Sequence, residues 1–238
     1  MSLNEKTTGM NPEAFFKISY GLYVVSSKYG EKLNGYISNA VFQVTAEPAQ
    51  FAVCCSKNNY TADLINSSKF FSISILKREA AAELIGLFGY KSGRDIDKFA
   101  NVKYISGQTG VPILIEDTLA WFECRVTQTI DVGTHLLFTA EIIDNELIDE
   151  EGEPLTYSYY REVRKGKAPR NAPTYIEPVK EKKSDKKSYK CLVCGYTYNP
   201  DSGDPDGHVP AGTDFKNLKD DWKCPVCGTD KGSFDILE

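Results

Sequence analysis

Four of the seven cysteines fall into two Cys-x-x-Cys pairs, Cys191/Cys194 and Cys224/Cys227, with 29 residues between the pairs. Thiolates in that pattern close a tetrahedral metal site. A glycine follows each pair, Gly195 and Gly228, and frees the backbone to turn so that its amides point at the sulfurs and soften their charge. Spacing alone leaves two chemistries open, because structural zinc and a one-iron redox centre both use four cysteines. Six aromatics stand in the same segment: Tyr189, Tyr196, Tyr198, Phe215, Trp222 and Phe234. They supply a small core that keeps water off the metal, and burial with amide hydrogen bonds is how a protein sets a redox potential. The aromatic set therefore favours iron over zinc.

The run Tyr189 to Pro200, the acidic Gly/Pro/Asp loop, Gly212-Thr213-Asp214-Phe215, Leu218 and Trp222 to Gly228 resembles rubredoxin across the whole segment. The resemblance implies one iron per chain, cycling between Fe2+ and Fe3+ and held by Cys191, Cys194, Cys224 and Cys227. Lys219 stands where that family has proline, in a loop away from the ligands.

A chain of 238 residues is too long for this module alone and leaves room for a second domain of about 150 to 175 residues. Its 41% hydrophobic and 26% charged residues are ordinary for a globular protein, and no run approaches the ~20 apolar residues of a membrane span. The start, Met1 to Lys6, lacks the apolar core of a signal peptide, so a cytosolic protein is expected. Cys54, Cys55 and Cys124, adjacent or isolated in apolar surroundings, read as reduced core thiols. The net charge of −5 is uneven: Tyr189 onward holds nine acids against five lysines, whereas Ile176 to Ser188 holds five lysines against three acids. An acidic redox module on a basic tether favours a protein partner with a basic docking face and argues against nucleic acid.

The elements that must position any further site read as mainly β. Asn11-Pro12-Glu13 opens a helix running to about Ile18. Strands are expected over 20–26, 34–46, 50–56 and 69–76, and a long hairpin over 120–131 and 135–143 about Gly133. Two helices interrupt them: Thr61 is expected to cap 62–66, and 77–88 to stop at Gly89. This rhythm predicts a barrel or sandwich. No glycine-rich dinucleotide fingerprint follows any strand.

The stretches Tyr36 to Thr45, Cys55 to Thr61, Gly93-Arg94-Asp95 with Lys98-Phe99, and Gly133 to Phe138, in that order, resemble the FMN-binding split barrel of the flavin reductase family over roughly residues 10 to 175. On that resemblance Ser56, Lys57, Asn59 and Thr61 meet the FMN phosphate at a helix mouth. Ser38, Asn39 and Ala40 approach the isoalloxazine edge, and Lys98 and Phe99 close the pocket. His135 matches the position beside the flavin where the family has a histidine, with Thr134 in place of the family's acid next to it. Tyr157, Tyr160 and the Gly166-Lys167-Ala168-Pro169 tail resemble the end of flavin reductases fused to rubredoxin, and the two tyrosines, three apart, share a face if helical, either framing the flavin's open side or packing into the core.

The expected organisation is thus a split barrel over 1–176, a flexible linker over 177–188 and a rubredoxin module over 189–238. The function implied is an FMN-dependent NAD(P)H oxidoreductase that passes electrons through FMN to the iron and on to an external acceptor such as a flavodiiron protein. Split-barrel flavoproteins pair, which implies a homodimer with FMN near its interface. A two-centre carrier reduced by another reductase is the competing class. A reductase that releases free flavin is a third, disfavoured by the attached one-electron acceptor.

Overall fold

The protein's computed structural model describes residues 12–169, 172–174 and 187–237. A short 3-10 helix, Pro12–Lys17, stands where the first helix is expected; its expected cap, Asn11, lies outside the described residues. The chain then forms β1 (Tyr23–Tyr29), β2 (Lys32–Ser38), β3 (Val41–Ala46), β4 (Ala49–Ser56), α1 (Tyr60–Ser68), β5 (Phe70–Leu76), α2 (Ala82–Tyr90), β6 (Tyr104–Ser106), β7 (Pro112–Leu114), β8 (Thr118–Asp131), β9 (His135–Leu147) and α3 (Tyr157–Glu162).

Seven strands make one antiparallel sheet in the order β2-β1-β5-β8-β9-β4-β3. Its two edges, β2 and β3, are consecutive in the chain and joined only by Asn39 and Ala40. A sheet whose edges are so tethered must curl until they approach, which gives a barrel with a split at that corner. The run expected as one strand over 34–46 is therefore two. Val25, Val53, Phe71, Ile73 and Phe138 fill the interior with Ala62 and Ile65 of α1, each large apolar side chain contributing ~1.5–3 kcal/mol by leaving water. Register shifts at Glu123/Cys124 and Val126/Gln128 bend the β8–β9 hairpin, and Gly133 turns it at φ +90.

Both inner helices depart from expectation for visible reasons. The cap of α1 is Asn59, whose side chain accepts from the Thr61 amide at 3.0 Å; Thr61 is fully buried and its hydroxyl accepts from Asn34 Nδ2 at 3.0 Å. α2 starts at Ala82 and not at Lys77, because the Lys77 and Arg78 amides donate instead to the Asp117 and Glu153 carbonyls. It runs through Gly89 to Tyr90 and ends where Lys91 turns extended.

The C-terminal module holds β10 (Tyr189–Cys191), β11 (Thr197–Tyr198) and β12 (Phe234–Ile236) in the order β11-β10-β12. Of the linker expected over 177–188, only Lys187 and Ser188 lie within the described residues. Among those residues no helix is long and apolar enough to cross a membrane.

Candidate functional site

The two knuckles are built alike. Gly195 and Gly228 take φ +78 and +68, a backbone that favours glycine, and each amide donates at 2.9 Å to the carbonyl of the first cysteine of its pair. The turns bring Cys191 Sγ to 3.8 Å from Cys227 Sγ and Cys194 Sγ to 3.6 Å from Cys224 Sγ, with all four sulfurs within 4.8 Å of one another. A metal–sulfur bond of about 2.3 Å makes a tetrahedral edge of about 3.8 Å, the spacing these two close pairs already have, so the cluster suits one four-coordinate ion. Cys191, Cys224 and Cys227 are buried and Cys194 half-buried. All six expected aromatics join the surrounding cluster: Tyr189 stacks on Phe215 at 4.1 Å, and Trp222 meets Tyr198, Phe215 and Phe234 at 5.8, 5.8 and 5.3 Å. Their polar ends are satisfied, Trp222 Nε1 donating to Asp204 at 2.7 Å and the Tyr198 hydroxyl to the Thr213 carbonyl at 2.8 Å. His208 stays exposed on its loop.

A second set of groups gathers where β4 ends and β9 begins. Ser56 and His135 are register partners, the Lys57 amide donates to the Thr134 carbonyl at 3.1 Å, and Asn59 sits at the mouth of α1. The helix mouth itself is largely spent: Ser56 Oγ takes the Asn58 amide, its carbonyl the Asn59 amide, and Asn59 the Thr61 and Ala62 amides. Thr61 is turned inward and does not face the mouth. What remains for an anion is side-chain charge. Lys57 Nζ lies 2.7 Å from Asp131, an exposed pair that water weakens; hydrogen bonding from Lys57 holds the Asp131 carboxyl below its usual range. Arg94, paired to Asp63 at 2.6 Å and lying 4.7 Å over the Tyr60 ring, adds a second cation at the first turn of α1.

His135 explains the substitution beside it. Thr134 Oγ1 is 2.8 Å from His135 Nδ1, so the threonine supplies the imidazole partner in place of an acid and orients the ring. The other nitrogen, Nε2, is buried with no partner. A buried polar atom left so is costly and marks a place for a ligand group. Two cations and an unmet imidazole nitrogen gathered at this strand end fit an anionic ring cofactor such as FMN.

The corner between the sheet edges adjoins this set, since the Cys54 amide donates to the Ala40 carbonyl at 2.9 Å. Ser38 and Asn39 are buried there and Ala40 half-buried; Asn39 Nδ2 donates to Thr174 Oγ1 at 3.2 Å. A narrow apolar cleft opens beside Asn39, walled by Tyr157, Tyr160, Tyr90 and the Lys167-Ala168-Pro169 tail. Tyr157 and Tyr160 share the buried face of α3, and the Tyr160 and Tyr90 hydroxyls are 2.8 Å apart. Tyr90 and Thr174 carry no motif; only the fold brings them here.

Lys98 and Phe99, expected to close the pocket, are core residues. The Lys98 ammonium donates to the Gly35 carbonyl at 3.0 Å and the Phe88 carbonyl at 3.2 Å, bracing α2 against β2, and burial lowers its pKa to about 8. Phe99 packs edge-on to Phe88 and Tyr104 at 5.3 and 5.2 Å. Burial likewise raises the thiols of Cys54, Cys55 and Cys124, Cys55 to about 12, as unreactive core thiols require.

Residues 15–166 match the flavin reductase like domain family, and residues 188–234 match the rubredoxin family. The chain is 41% identical to the high molecular weight rubredoxin of Moorella thermoacetica over 96% of its own length and 100% of that protein's. It is 44% identical to a ferric-chelate reductase (NAD(P)H) of Archaeoglobus fulgidus over 71% of this chain and 99% of that one. The solved structure of an FMN-binding protein from Thermus thermophilus superposes with a TM-score of 0.54 at 26% identity, covering 61% of this chain and 81% of that. With a flavin reductase like domain followed by four cysteines set for one iron, the chain belongs to the flavin reductase like family in its rubredoxin-fused form, the high-molecular-weight rubredoxins.

Proposed function

We propose that this protein is an FMN-dependent NAD(P)H oxidoreductase that delivers electrons to its own four-cysteine iron and from there to an external redox protein of the flavodiiron type. The observation that carries the reading is the meeting of the two halves: the iron ligands Cys191, Cys224 and Cys227 belong to one buried cluster with Tyr157 and Tyr160, which wall the cleft at Asn39. When bound, FMN accepts the two electrons of a hydride and releases them singly, the form an iron held by four cysteines accepts. The chain's own residues supply the rest. Lys57 and Arg94 hold the anionic end of the cofactor, the Ser38-Asn39-Ala40 corner lines its ring edge, and His135, oriented by Thr134, offers Nε2 on the nicotinamide side. The Tyr157/Tyr160 face keeps water from the cleft.

The acceptor is a protein with a basic face, because the iron module from Tyr189 onward holds nine acids against five lysines and opposite fields steer encounter. A homodimer accounts for β3, an edge strand with exposed Phe42 and Val44, since an uncovered apolar edge is an aggregation hazard. Seven separate thiols suit the reducing cytosol. The deciding experiment is anaerobic stopped-flow mixing of the FMN- and iron-loaded protein with NADH or NADPH. Flavin absorbance should fall first and the ferric-thiolate colour follow. No bleaching by either nucleotide would leave the two-centre carrier, reduced by another enzyme, as the function.

A further inference from the structure

Gly86 lies in the middle of α2, where glycine is a poor helix former beside alanine. A β carbon there would stand 2.2 Å from the carbonyl oxygen of Cys227 and 3.0 Å from its α carbon. Such an approach leaves room for hydrogen alone. The contact is to backbone, so no rotation of a flexible side chain relieves it. The missing side chain is therefore what allows the second metal knuckle to seat on α2.

Other contacts around the seat agree. Gly228 faces Glu83, whose side chain a β carbon would meet at 2.7 Å, and Lys223 Nζ is 3.8 Å from the Glu83 carboxylate. The first knuckle is held from the other side, Lys167 Nζ reaching the Gly195 carbonyl at 3.5 Å. Ile85 and Phe88 of α2 share a buried cluster with Cys191, Cys224 and Cys227. Tyr90, four residues after Gly86, bonds Tyr160 through their hydroxyls at 2.8 Å and donates to the Lys167 carbonyl. The pair walls the cleft at Asn39, and Tyr160, with Tyr90 packed against it, shares one buried cluster with the iron ligands Cys191, Cys224 and Cys227.

We propose that α2 is the docking platform from which the iron is reduced, with Gly86 as the residue that admits the Cys227 backbone and the Tyr90–Tyr160 pair as the protein wall between cofactor cleft and iron. The proposal rests on the functional reading above and adds to it a defined pose in place of many transient ones. The step served would be outer-sphere: one electron at a time would pass from the reduced flavin to the Fe3+ held by the four cysteines, giving Fe2+, and the proton that arrived with the hydride would leave the flavin to water. Two such transfers, with the iron discharged to its acceptor in between, balance the two electrons of one NAD(P)H.

The test uses the full chain loaded with FMN and iron, as wild type, Gly86→Ala and Gly86→Leu. Hydrogen exchange at residues 83–90 and 224–229 and the radius of gyration from X-ray scattering read docking without any turnover. Both variants should raise exchange at 224–229 by about tenfold or more and enlarge the radius, while the ferric spectrum stays unchanged. Alanine is the better helix former, so Gly86→Ala should not lower the melting temperature of the barrel, which separates undocking from misfolding. NADH should bleach the iron at least about tenfold more slowly in both, while NADH oxidation coupled to added ferricyanide stays within about twofold. Unchanged exchange and scattering in Gly86→Leu would overturn the platform, and so would undocking that leaves the bleaching rate unchanged. Should wild type fail to oxidise NADH at all, the functional reading fails, yet exchange and scattering still decide whether α2 seats the module.

Discussion

Lys98 offers a sharp check on how α2 is held. It is 3% exposed, its ammonium bonded to the Gly35 and Phe88 carbonyls, and burial lowers its pKa from 10.5 to about 8. Between those two values the unfolded chain binds more protons than the folded one, so stability contributed by this group rises with pH across that window. Below about 8 the lysine is charged in both states and the full penalty is present. At ~1.4 kcal/mol per pH unit the gap between 10.5 and about 8 amounts to about 3 kcal/mol. Lys98→Met removes that penalty and also strips two carbonyls of their donor, at ~1–3 kcal/mol each. The variant should lie between about 1 kcal/mol more stable and about 3 kcal/mol less stable than wild type at pH 7, and wild type should gain a further ~2–3 kcal/mol over it by pH 10. Urea unfolding followed by far-ultraviolet circular dichroism, which the barrel sheet dominates, reads the difference at each pH. A difference that stays flat or shrinks as pH rises would mean that the ammonium reaches water, as a residue closing a pocket does. FMN affinity separates the two roles again: a brace leaves it within a few-fold, whereas a loss of about 100-fold on Lys98→Met would return this lysine to the cofactor site.

Cys→Ser at any of Cys191, Cys194, Cys224 or Cys227 should abolish or strongly weaken the red ferric absorption, since each thiolate is one corner of a closed shell; metal content by mass spectrometry checks it. Asn59→Ala should cost about 1 kcal/mol of barrel stability in urea, the usual worth of a helix cap, whereas the same loss from an exposed Asn58→Ala would show that the cap is misassigned. His135→Ala should slow flavin reduction by NADH more than it weakens FMN binding, and Thr134→Val should do so in the same direction by less; equal losses in both measurements would place the imidazole on the cofactor rather than on the nicotinamide side.

What the sequence disclosed and what it hid divide by how far apart the interacting residues stand along the chain. The knuckles are local: Cys191, Gly195, Cys224 and Gly228 declare their geometry through spacing and a glycine's permitted backbone, and the aromatics that pack around them are neighbours in the same segment. The long strands are legible from β-branched and aromatic runs, whereas the break at Asn39-Ala40 and the short β6 and β7 are not. The misreadings came from competition at a distance. Lys77 to Ala81 precede a helix and carry good helix formers, but the amides of Lys77, Arg78 and Ala81 are claimed by Asp117 and Glu153, on other segments. Thr61 has the right chemistry for a cap and is drawn inward by Asn34 instead. Gly89 looks like a helix stop, yet it lies inside α2, where a β carbon would still clear Ile37 at 3.4 Å. Gly86 has a partner 141 positions away, in Cys227, and nothing near it in sequence announces that.

The same contrast accounts for where the two centres sit. A tetrahedral site needs four atoms and two turns, so a short segment suffices and its position relative to the barrel is left free. A groove for a flavin needs a corner, a helix mouth and a strand end side by side, and only long-range pairing makes one. The sheet order supplies it. Because β2 and β3 are the two edges and also consecutive, the Asn39-Ala40 link falls at the one place where the barrel is not closed by ladder hydrogen bonds, leaving backbone groups at the corner for a ligand or a covering segment. Part of that need is met by the chain itself, as Thr174 bonds Asn39 and the 167–169 tail walls the cleft beside Tyr90 and Tyr160. The tail that covers the corner is the same one that reaches the first metal knuckle through Lys167. Shortening or stiffening it should therefore alter the cleft and the seating of the iron module together, whereas Gly86→Ala acts on the seating alone.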